Sequence, residues 1–252
     1  MSDEQKLTFL GHLVELRSCL FRSIIALIIA LFICFGITYY FKDFIFGILT
    51  NPAIGQVPDL SIIFTEVTEM MGTYIKVTLY AAVALILPFI IYQTVTFVRP
   101  ALTKQERSYL YLFLPLVLIM FAAGAVFAYF ILLPPAFNFL LTFGEGIAEP
   151  MIKVGNYVSV LTKLIFWIGI CFEIPLVLFF LTKIGVVKPE WLSKYRRFAY
   201  VAAFILGAII TPTFDPVNQT LVAVPIIFLY EIGILLSKLA RRKKKELASI
   251  SS

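Results

Sequence analysis

The sequence has few of the residues on which soluble enzymes and nucleic-acid-binding proteins depend. It contains one histidine, His12, in 252 residues, and only 14% of its residues are charged. A metal site built on several imidazoles is therefore excluded, and the charged fraction is too low for an ordinary soluble domain, where it is about a quarter. Cys19, Cys34 and Cys171 are odd in number and far apart. They indicate neither a disulfide framework nor a C-x-x-C pair, and we expect them to be small apolar fillers.

The motifs of known intramembrane enzymes are also missing. The sequence has no H-E-x-x-H, no G-x-S-x-G, no pair of aspartates within an apolar run and no glycine-rich phosphate loop. We therefore expect a protein that is not an enzyme and that needs no metal or cofactor.

Long apolar runs are abundant, since 61% of the residues are hydrophobic. An α-helix crosses a bilayer with about 20 apolar residues. On that template the sequence predicts an all-α integral membrane protein with six transmembrane helices in one polytopic domain, residues 1–252. The first run is long, and no small-x-small cleavage site follows it, so we expect it to be retained. The predicted spans are residues 21–41, 73–97, 109–133, 157–181, 198–210 and 217–236.

The distribution of lysine and arginine predicts the orientation. Basic residues are concentrated before the first span, in two loops on the same side and in the tail, whereas the other side has only four. These four are Lys42, Lys76, Lys153 and Lys163. By the positive-inside rule both termini are cytoplasmic, in a multi-pass protein of the cytoplasmic (inner) membrane. The net charge of +6 then reflects topology and contact with anionic lipid, and we expect no nucleic-acid partner.

The predicted helices differ in length and regularity. The last two are short, and the fifth would cover only about 20 Å of a core about 30 Å thick. Pro88, Pro115, Pro175 and Pro225 lie inside spans and predict kinks, and hence a cupped body. Two outer segments, residues 42–72 and 134–156, are too long for tight turns, and we expect short helices in both.

Two carboxylates are candidates for binding cations. Glu15 and Glu106 lie at the cytoplasmic ends of predicted helices, and neither has an arginine or lysine three or four residues away. An unpaired carboxylate can bind a guanidinium group through two hydrogen bonds, which lysine cannot reproduce. The alternatives are that Glu15 is a solvated interfacial charge, and that Glu106 closes a capping box begun by Thr103.

Glu173 lies well inside the fourth span. A charge at that depth is costly, so Glu173 should either face a polar cavity or be neutral and bonded to a carbonyl freed by Pro175. Glu231 should be interfacial, and Asp215 a turn or cap residue.

Six short motifs occur in an order that is similar to a known family. They are His12-Leu13-Val14-Glu15-Leu16-Arg17, Arg99-Pro100-Ala101-Leu102 through Glu106-Arg107, Phe127-Ala128-Tyr129-Phe130, Phe172-Glu173-Ile174-Pro175, Thr211-Pro212 with Asp215 and Gln219-Thr220, and Tyr230-Glu231-Ile232-Gly233. At these residues the chain resembles the TatC family, the multi-span subunit of the twin-arginine protein translocase. It departs from the family pattern at Cys19, where a second basic residue is common, and in a turn after Thr211 that is one residue longer.

The resemblance implies a receptor for the twin-arginine signal peptides of proteins that are exported already folded. Glu15 and Glu106 would bind the two arginines, and the site would be shaped by Arg17, Phe97, Pro100 and Arg107. Glu173 would be the polar group within the membrane. Thr211 and Gln219 would help to contact single-span Tat subunits of the TatA/TatB type. The resemblance further implies a homo-oligomeric complex that is driven by the proton-motive force and binds no nucleotide.

Two other functions stay open. Glu173 within proline-containing spans is also compatible with a proton-coupled transporter of small solutes. A membrane scaffold with no cargo of its own is the third hypothesis.

Overall fold

The computed structural model describes residues 3–54, 62–98, 104–143, 151–183, 185–211 and 215–250. These residues are mostly helical, as the apolar runs predict. The helices are α1 (Asp3–Tyr40), α2 (Lys42–Ile54), α3 (Glu69–Val98), α4 (Lys104–Phe127), α5 (Leu133–Thr142), α6 (Val154–Cys171), α7 (Ile174–Lys183), α8 (Pro189–Lys194), α9 (Arg196–Ile210) and α10 (Pro216–Ile250). A π-helical segment, Ala128–Leu132, joins α4 to α5, and the two short strands are β1 (Ile62–Ile63) and β2 (Ile152–Lys153).

Five helical stretches in the described part of the chain are long and apolar enough to cross a membrane. They are Leu16–Tyr40, Glu69–Thr94, Leu114–Thr142, Val154–Lys183 and Pro216–Arg241. The predicted fifth span corresponds to α9, which has 15 residues and is about 22 Å long. Because α9 is shorter than the apolar core of a bilayer, the count of six spans stays a prediction.

Two predictions about the lengths of spans were wrong. The last helix is not short, because α10 has 35 residues and continues through the basic stretch after Arg241. Lysine and arginine are good helix formers, so these charges end the apolar span without ending the helix. The third span does not stop at Leu133, because Pro134 and Pro135 occupy the first turn of α5. Amides in the first turn of a helix have no partner within the helix, so proline, which has no amide hydrogen, is tolerated there.

The prolines inside helices have different effects on continuity. α3, α4 and α10 each contain one proline and continue past it: Pro88, Pro115 and Pro225. At Pro175 the structure is interrupted, because α6 ends at Cys171 and α7 begins at Ile174. The kinked, cupped shape stays a prediction.

The helices pack around α6. Val158, Leu161 and Ile168 of α6 are completely buried at the centre of the largest hydrophobic cluster. α3 and α4 pack on α6, α10 packs on α7 and α9, and α1 packs mainly on α3. Large apolar side chains of α1, such as Phe32 at 76% exposure, remain uncovered. Apolar residues around a whole helix are typical of a helix in lipid.

One end of the helix bundle is marked by the strand pair, and we call it the strand end. β1 and β2 are parallel, with Ile62 opposite Ile152. α2 forms the first part of the predicted outer segment 42–72, and two contacts hold it against the bundle. The Tyr129 hydroxyl donates to the Ile48 carbonyl at 2.8 Å, and the rings of Phe46 and Tyr74 lie 4.8 Å apart.

Candidate functional site

The predicted arginine-binding residues lie on three helices. Glu15 belongs to α1, Phe97 to α3, and Glu106 and Arg107 to the first turn of α4. The side chains of these four residues, and the whole of Pro100, lie outside the described residues. The Arg17 side chain is described and is exposed.

The backbone brings the ends of these three helices to the same side of the bundle. α2 follows directly after α1, and its Phe46 contacts Tyr74 near the beginning of α3. The carboxyl end of α1 therefore lies beside the amino end of α3, and the two helices are antiparallel. The beginning of α1 and the end of α3 both point away from the strand end. α4 starts six residues after α3, at most about 21 Å away along an extended chain.

Glu173 is the most deeply buried acidic residue of the described chain, at 4% exposure. It occupies the interruption between α6 and α7, where its amide donates to the Ile170 carbonyl at 3.0 Å. Pro175 has no amide hydrogen to bond the Cys171 carbonyl one turn earlier, so the helix cannot continue unchanged here. The sequence therefore puts a carboxyl group at the point where the helix is weakest.

The Glu173 carboxyl group has no hydrogen-bond partner among the described residues. The alternative in which Glu173 bonds a carbonyl freed by Pro175 is therefore not observed. A buried polar group without a partner is unfavourable and marks a position where a polar ligand or water would be stabilising.

Close helix crossings flank Glu173 on both sides. On one side, a Cβ added to Gly124 of α4 would lie 2.8 Å from Cγ of Phe172 and 2.9 Å from Cα of Gly169. On the other, a Cβ added to Gly233 of α10 would lie 3.2 Å from Cα of Pro175. Small residues allow helix backbones to approach closely in membranes. These crossings hold the Glu173 segment between α4 and α10.

The predicted partner-contact residues lie together where α9 meets α10. The Thr211 hydroxyl is buried and donates to the Gly207 carbonyl at 2.8 Å. The Gln219 side-chain amide donates to the Phe204 carbonyl at 2.9 Å. Asp215 caps α10 as predicted, because its carboxylate accepts from the Asn218 amide at 2.7 Å. Thr211 and Gln219 therefore belong to one hairpin, formed by α9 and α10.

A polar cluster that local sequence spacing does not reveal joins α9 to α10 at the end opposite the strands. Arg196 lies 2.8 Å from one carboxylate oxygen of Glu231, and the Tyr200 hydroxyl donates to the other at 2.7 Å. Nearby, the Tyr230 hydroxyl donates to the Leu192 carbonyl of α8 at 2.9 Å. Glu231 thus pairs with a cation 35 positions away in sequence.

An ion pair joins α8 to α10 at the same end. Arg241 of α10 binds the carboxylate of Glu190. The pKa of Glu190 is lowered, first by a hydrogen bond from its own main-chain amide and then by the charge of Arg241. Glu190 is therefore ionised at neutral pH.

The strand end contains a second missed residue, Glu69. Its carboxylate accepts a hydrogen bond from the Gly155 amide at 2.9 Å and another from the Thr65 amide at 2.8 Å. It therefore satisfies a free amide in the first turn of α6. From the sequence, Glu69 in the first turn of α3 could be predicted only to cap its own helix. The contact with α6 depends on the tertiary structure. In the part of the chain that the structure describes, no three His, Cys, Asp or Glu side chains come together.

Comparison with known proteins identifies the family. Residues 11–225 match the family described as Sec-independent protein translocase protein (TatC). A protein of that name from Aquifex aeolicus is 43% identical over 241 residues, covering 94% of this chain and 97% of the relative. Another from Carboxydothermus hydrogenoformans is 34% identical over 242 residues, covering 96% of this chain and 97% of the relative.

A solved structure gives the same result for the fold. The crystal structure of a protein described as "Twin Arginine Translocase Receptor- TatC" superposes with a TM-score of 0.78 at 41% identity. The match covers 91% of this chain and 99% of the solved chain. The five apolar helical stretches in the described residues, together with these similarities, make the chain a multi-pass membrane protein and a transport subunit of the Tat pathway. The chain belongs to the TatC family of Sec-independent protein translocase proteins.

Proposed function

We propose that this Tat subunit is the receptor for twin-arginine signal peptides and the core of the export complex. Glu15 and Glu106 bind the two arginines, and Arg17, Phe97, Pro100 and Arg107 shape the site around them. A carboxylate that pairs with a guanidinium group makes two parallel hydrogen bonds, so the site reads arginine in preference to lysine.

The observation that carries this proposal is the antiparallel packing of α1 on α3. It supports a shared site because the helices that bear Glu15, Phe97 and Glu106 end on the same side of the bundle. The description of the solved relative as a twin-arginine translocase receptor supports the same function. Each hydrogen bond to a charged group contributes about 1.5–3 kcal/mol when sheltered. Two such bonds are enough for strong discrimination between peptides.

The rest of the proposal concerns topology, partners and energy. Both termini are cytoplasmic, in the inner membrane, and the strand end faces outward. Glu173 is the polar group within the membrane, and Thr211 and Gln219 contact single-span subunits of the TatA/TatB type. Several copies of the chain act together in a homo-oligomeric complex, and the proton-motive force drives export.

Glu106→Gln tests the receptor site. Glutamine keeps a side chain that can complete the capping box but removes the charge. Export of twin-arginine substrates and crosslinking of their signal peptides should both decrease strongly. The matched control is Glu66→Gln, because Glu66 lies at the strand end and its carboxylate is 3.9 Å from Lys153, with both side chains exposed. Normal export by Glu106→Gln would contradict the receptor role of Glu106.

The buried Glu173 carboxyl group has no hydrogen-bond partner among the described residues, which favours one other function, a proton-coupled transporter of small solutes. That hypothesis requires substrate-dependent flux in liposomes that contain this protein alone. The receptor proposal requires no such flux, and instead requires co-purification with single-span partners.

A further inference from the structure

One face of α6 carries three hydrogen-bonded residues spaced four apart, and each is bonded to a different place in the chain. Gly155 donates to Glu69 of α3, and Ser159 accepts from Lys76 of α3 at 3.0 Å. The third residue, Lys163, reaches α9. Residues four apart lie on the same side of a helix. We propose that Lys163 is a positioning residue that sets the place of the α9–α10 hairpin.

The contact of Lys163 with α9 is direct. The ammonium group donates to the Ile209 carbonyl at 2.6 Å, and Ile209 is the next-to-last residue of α9. The last four carbonyls of a helix have no partner within the helix and carry partial negative charge. The Gly207 carbonyl already accepts from the Thr211 amide and hydroxyl. Lys163 provides the donor for Ile209 that α9 itself cannot provide.

The contact lies within an apolar part of α6. Lys163 lies nine positions after Val154, about 14 Å along α6 from its first residue, in a helical stretch that is long and apolar enough to cross a membrane. A charged ammonium group within such a stretch is unfavourable without a polar partner. The Ile209 carbonyl gives the ammonium group one acceptor, and the carbonyl gains a donor from Lys163.

The other two residues of the face hold α6 in place. The Ser159 hydroxyl donates to the Gly155 carbonyl at 2.5 Å while it accepts from Lys76. Glu69 binds the Gly155 amide, and a Cβ added to Gly155 would meet the Glu69 side chain at 2.9 Å. These contacts fix the position of α6 relative to α3. The position of Lys163 on α6, and hence of its contact with α9, is fixed with it.

The position of α9 determines the position of the proposed partner contact. Gln219 of α10 bonds the Phe204 carbonyl of α9. Gly207 also allows a close approach, since a Cβ there would lie 2.9 Å from the Gln219 carbonyl oxygen. α9 and the start of α10 therefore move together, and Lys163 orients Thr211 and Gln219. This last step rests on the proposed function, whereas the geometry of the hairpin does not.

The first test measures the hairpin directly and needs neither peptide nor partner. Spin labels are attached at exposed Asn156 of α6 and exposed Ile205 of α9, in a chain whose three cysteines are replaced by alanine. The distance distribution should be narrow in the parent and in Lys163→Arg, and broad or displaced in Lys163→Met. Lys153→Met is the matched control, because Lys153 lies at the strand end in an exposed pair with Glu66 and takes no part in the proposed contact. An unchanged distribution in Lys163→Met would overturn the proposal.

The second test measures the functional consequence. A photoreactive residue replaces exposed Val217, and its crosslinks to single-span subunits are counted. Lys163→Met should lower them about tenfold, whereas Lys163→Arg and Lys153→Met keep them. Twin-arginine peptide crosslinks on the far side of the bundle should persist in all three variants. If the parent binds no twin-arginine peptide, the proposed function fails, but the spin-label result still decides the position of the hairpin.

A purely structural role for Lys163 gives a different result. In that case Lys163→Met lowers both crosslinks and the amount of folded protein, and Lys163→Arg rescues neither. That outcome would also overturn the proposal. If Lys163→Met does not fold but Lys163→Arg does, Lys163→Gln replaces Lys163→Met, because glutamine removes the charge and is too short to reach Ile209 in the same way.

Discussion

Glu69 joins the first turn of α3 to the first turn of α6, because its carboxylate accepts a hydrogen bond from the Gly155 amide at 2.9 Å. The two residues are 86 positions apart in the sequence. The second oxygen accepts the Thr65 amide at 2.8 Å. Both oxygens are thus used, and each satisfies a main-chain donor. We expect this residue to determine how the beginning of α3 is held against α6.

Glu69→Gln should loosen this junction. The glutamine side chain has one acceptor oxygen, so one of the two main-chain amides loses its partner. We expect faster hydrogen exchange at the Thr65 or Gly155 amide and a lower melting temperature. Glu66→Gln should change neither quantity, because Glu66 forms only an exposed pair with Lys153. Equal protection in the two variants would show that the Glu69 contacts do not stabilise the junction.

Gly124→Ala should destabilise the crossing of α4 and α6. The added methyl group would meet the main chain of Gly169 at 2.9 Å, and main chain cannot move aside as a flexible side chain can. We expect a loss of about 1–3 kcal/mol, as for other overpacked positions. Gly36→Ala in α1 is the control, because an added Cβ meets nothing within 4 Å there. It should stabilise α1 by about 0.5–1 kcal/mol. Thermal unfolding in detergent measures the stability of both variants. Equal changes in melting temperature for Gly124→Ala and Gly36→Ala would contradict the argument that Gly124 is needed for close packing.

Glu173→Met should make the protein more stable and less active. It replaces a buried carboxyl group that has no partner in the described chain by an apolar side chain of similar size. Removing such a group should add about 1–3 kcal/mol to the free energy of unfolding. Export should fall, because the proposed polar group within the membrane is lost, whereas Glu173→Gln should retain more export. A less stable Glu173→Met variant would show that the carboxyl group is satisfied in the membrane.

The pair of Glu190 and Arg241 should respond to acid. Since the pKa of Glu190 is lowered in the folded protein, its contribution is complete above its unfolded pKa, about 4.3. The contribution is lost as the pH falls through the lower, folded value. Fluorescence of exposed Trp191 on α8, measured with Trp167 replaced by phenylalanine, should be constant from pH 7 to about 5 and change below about 4. Glu190→Gln should abolish that transition. A transition that persists in the variant would have another origin.

The sequence predicted the parts of this fold that depend on hydrophobicity. Residues 157–181 fall within the apolar stretch Val154–Lys183, and residues 21–41 and 73–97 largely overlap the stretches Leu16–Tyr40 and Glu69–Thr94, because lipid requires long apolar segments with satisfied main chains. The ends of helices were less predictable. Basic residues after Arg241 and the prolines after Leu133 terminate an apolar pattern without terminating the helix.

Long-range polar contacts could not be predicted from local spacing. A rule that compares residues three or four apart cannot detect Arg196 beside Glu231 or Lys163 beside Ile209. The burial of Glu173 and the cap at Asp215 were predictable, because both follow from neighbouring residues. The prediction that Glu15 and Glu106 form one arginine-binding site stays a prediction, because their side chains lie outside the described residues.

The central claim is that the surface near Glu106 reads paired arginines. The most direct measurement uses purified protein with a photoreactive residue in place of Gln105, next to Glu106, and a labelled signal peptide in two forms. We predict that the twin-arginine peptide crosslinks there, and that the twin-lysine form crosslinks at least about tenfold less, because lysine cannot make the bidentate contact. Equal crosslinking of the two peptides would contradict the claim.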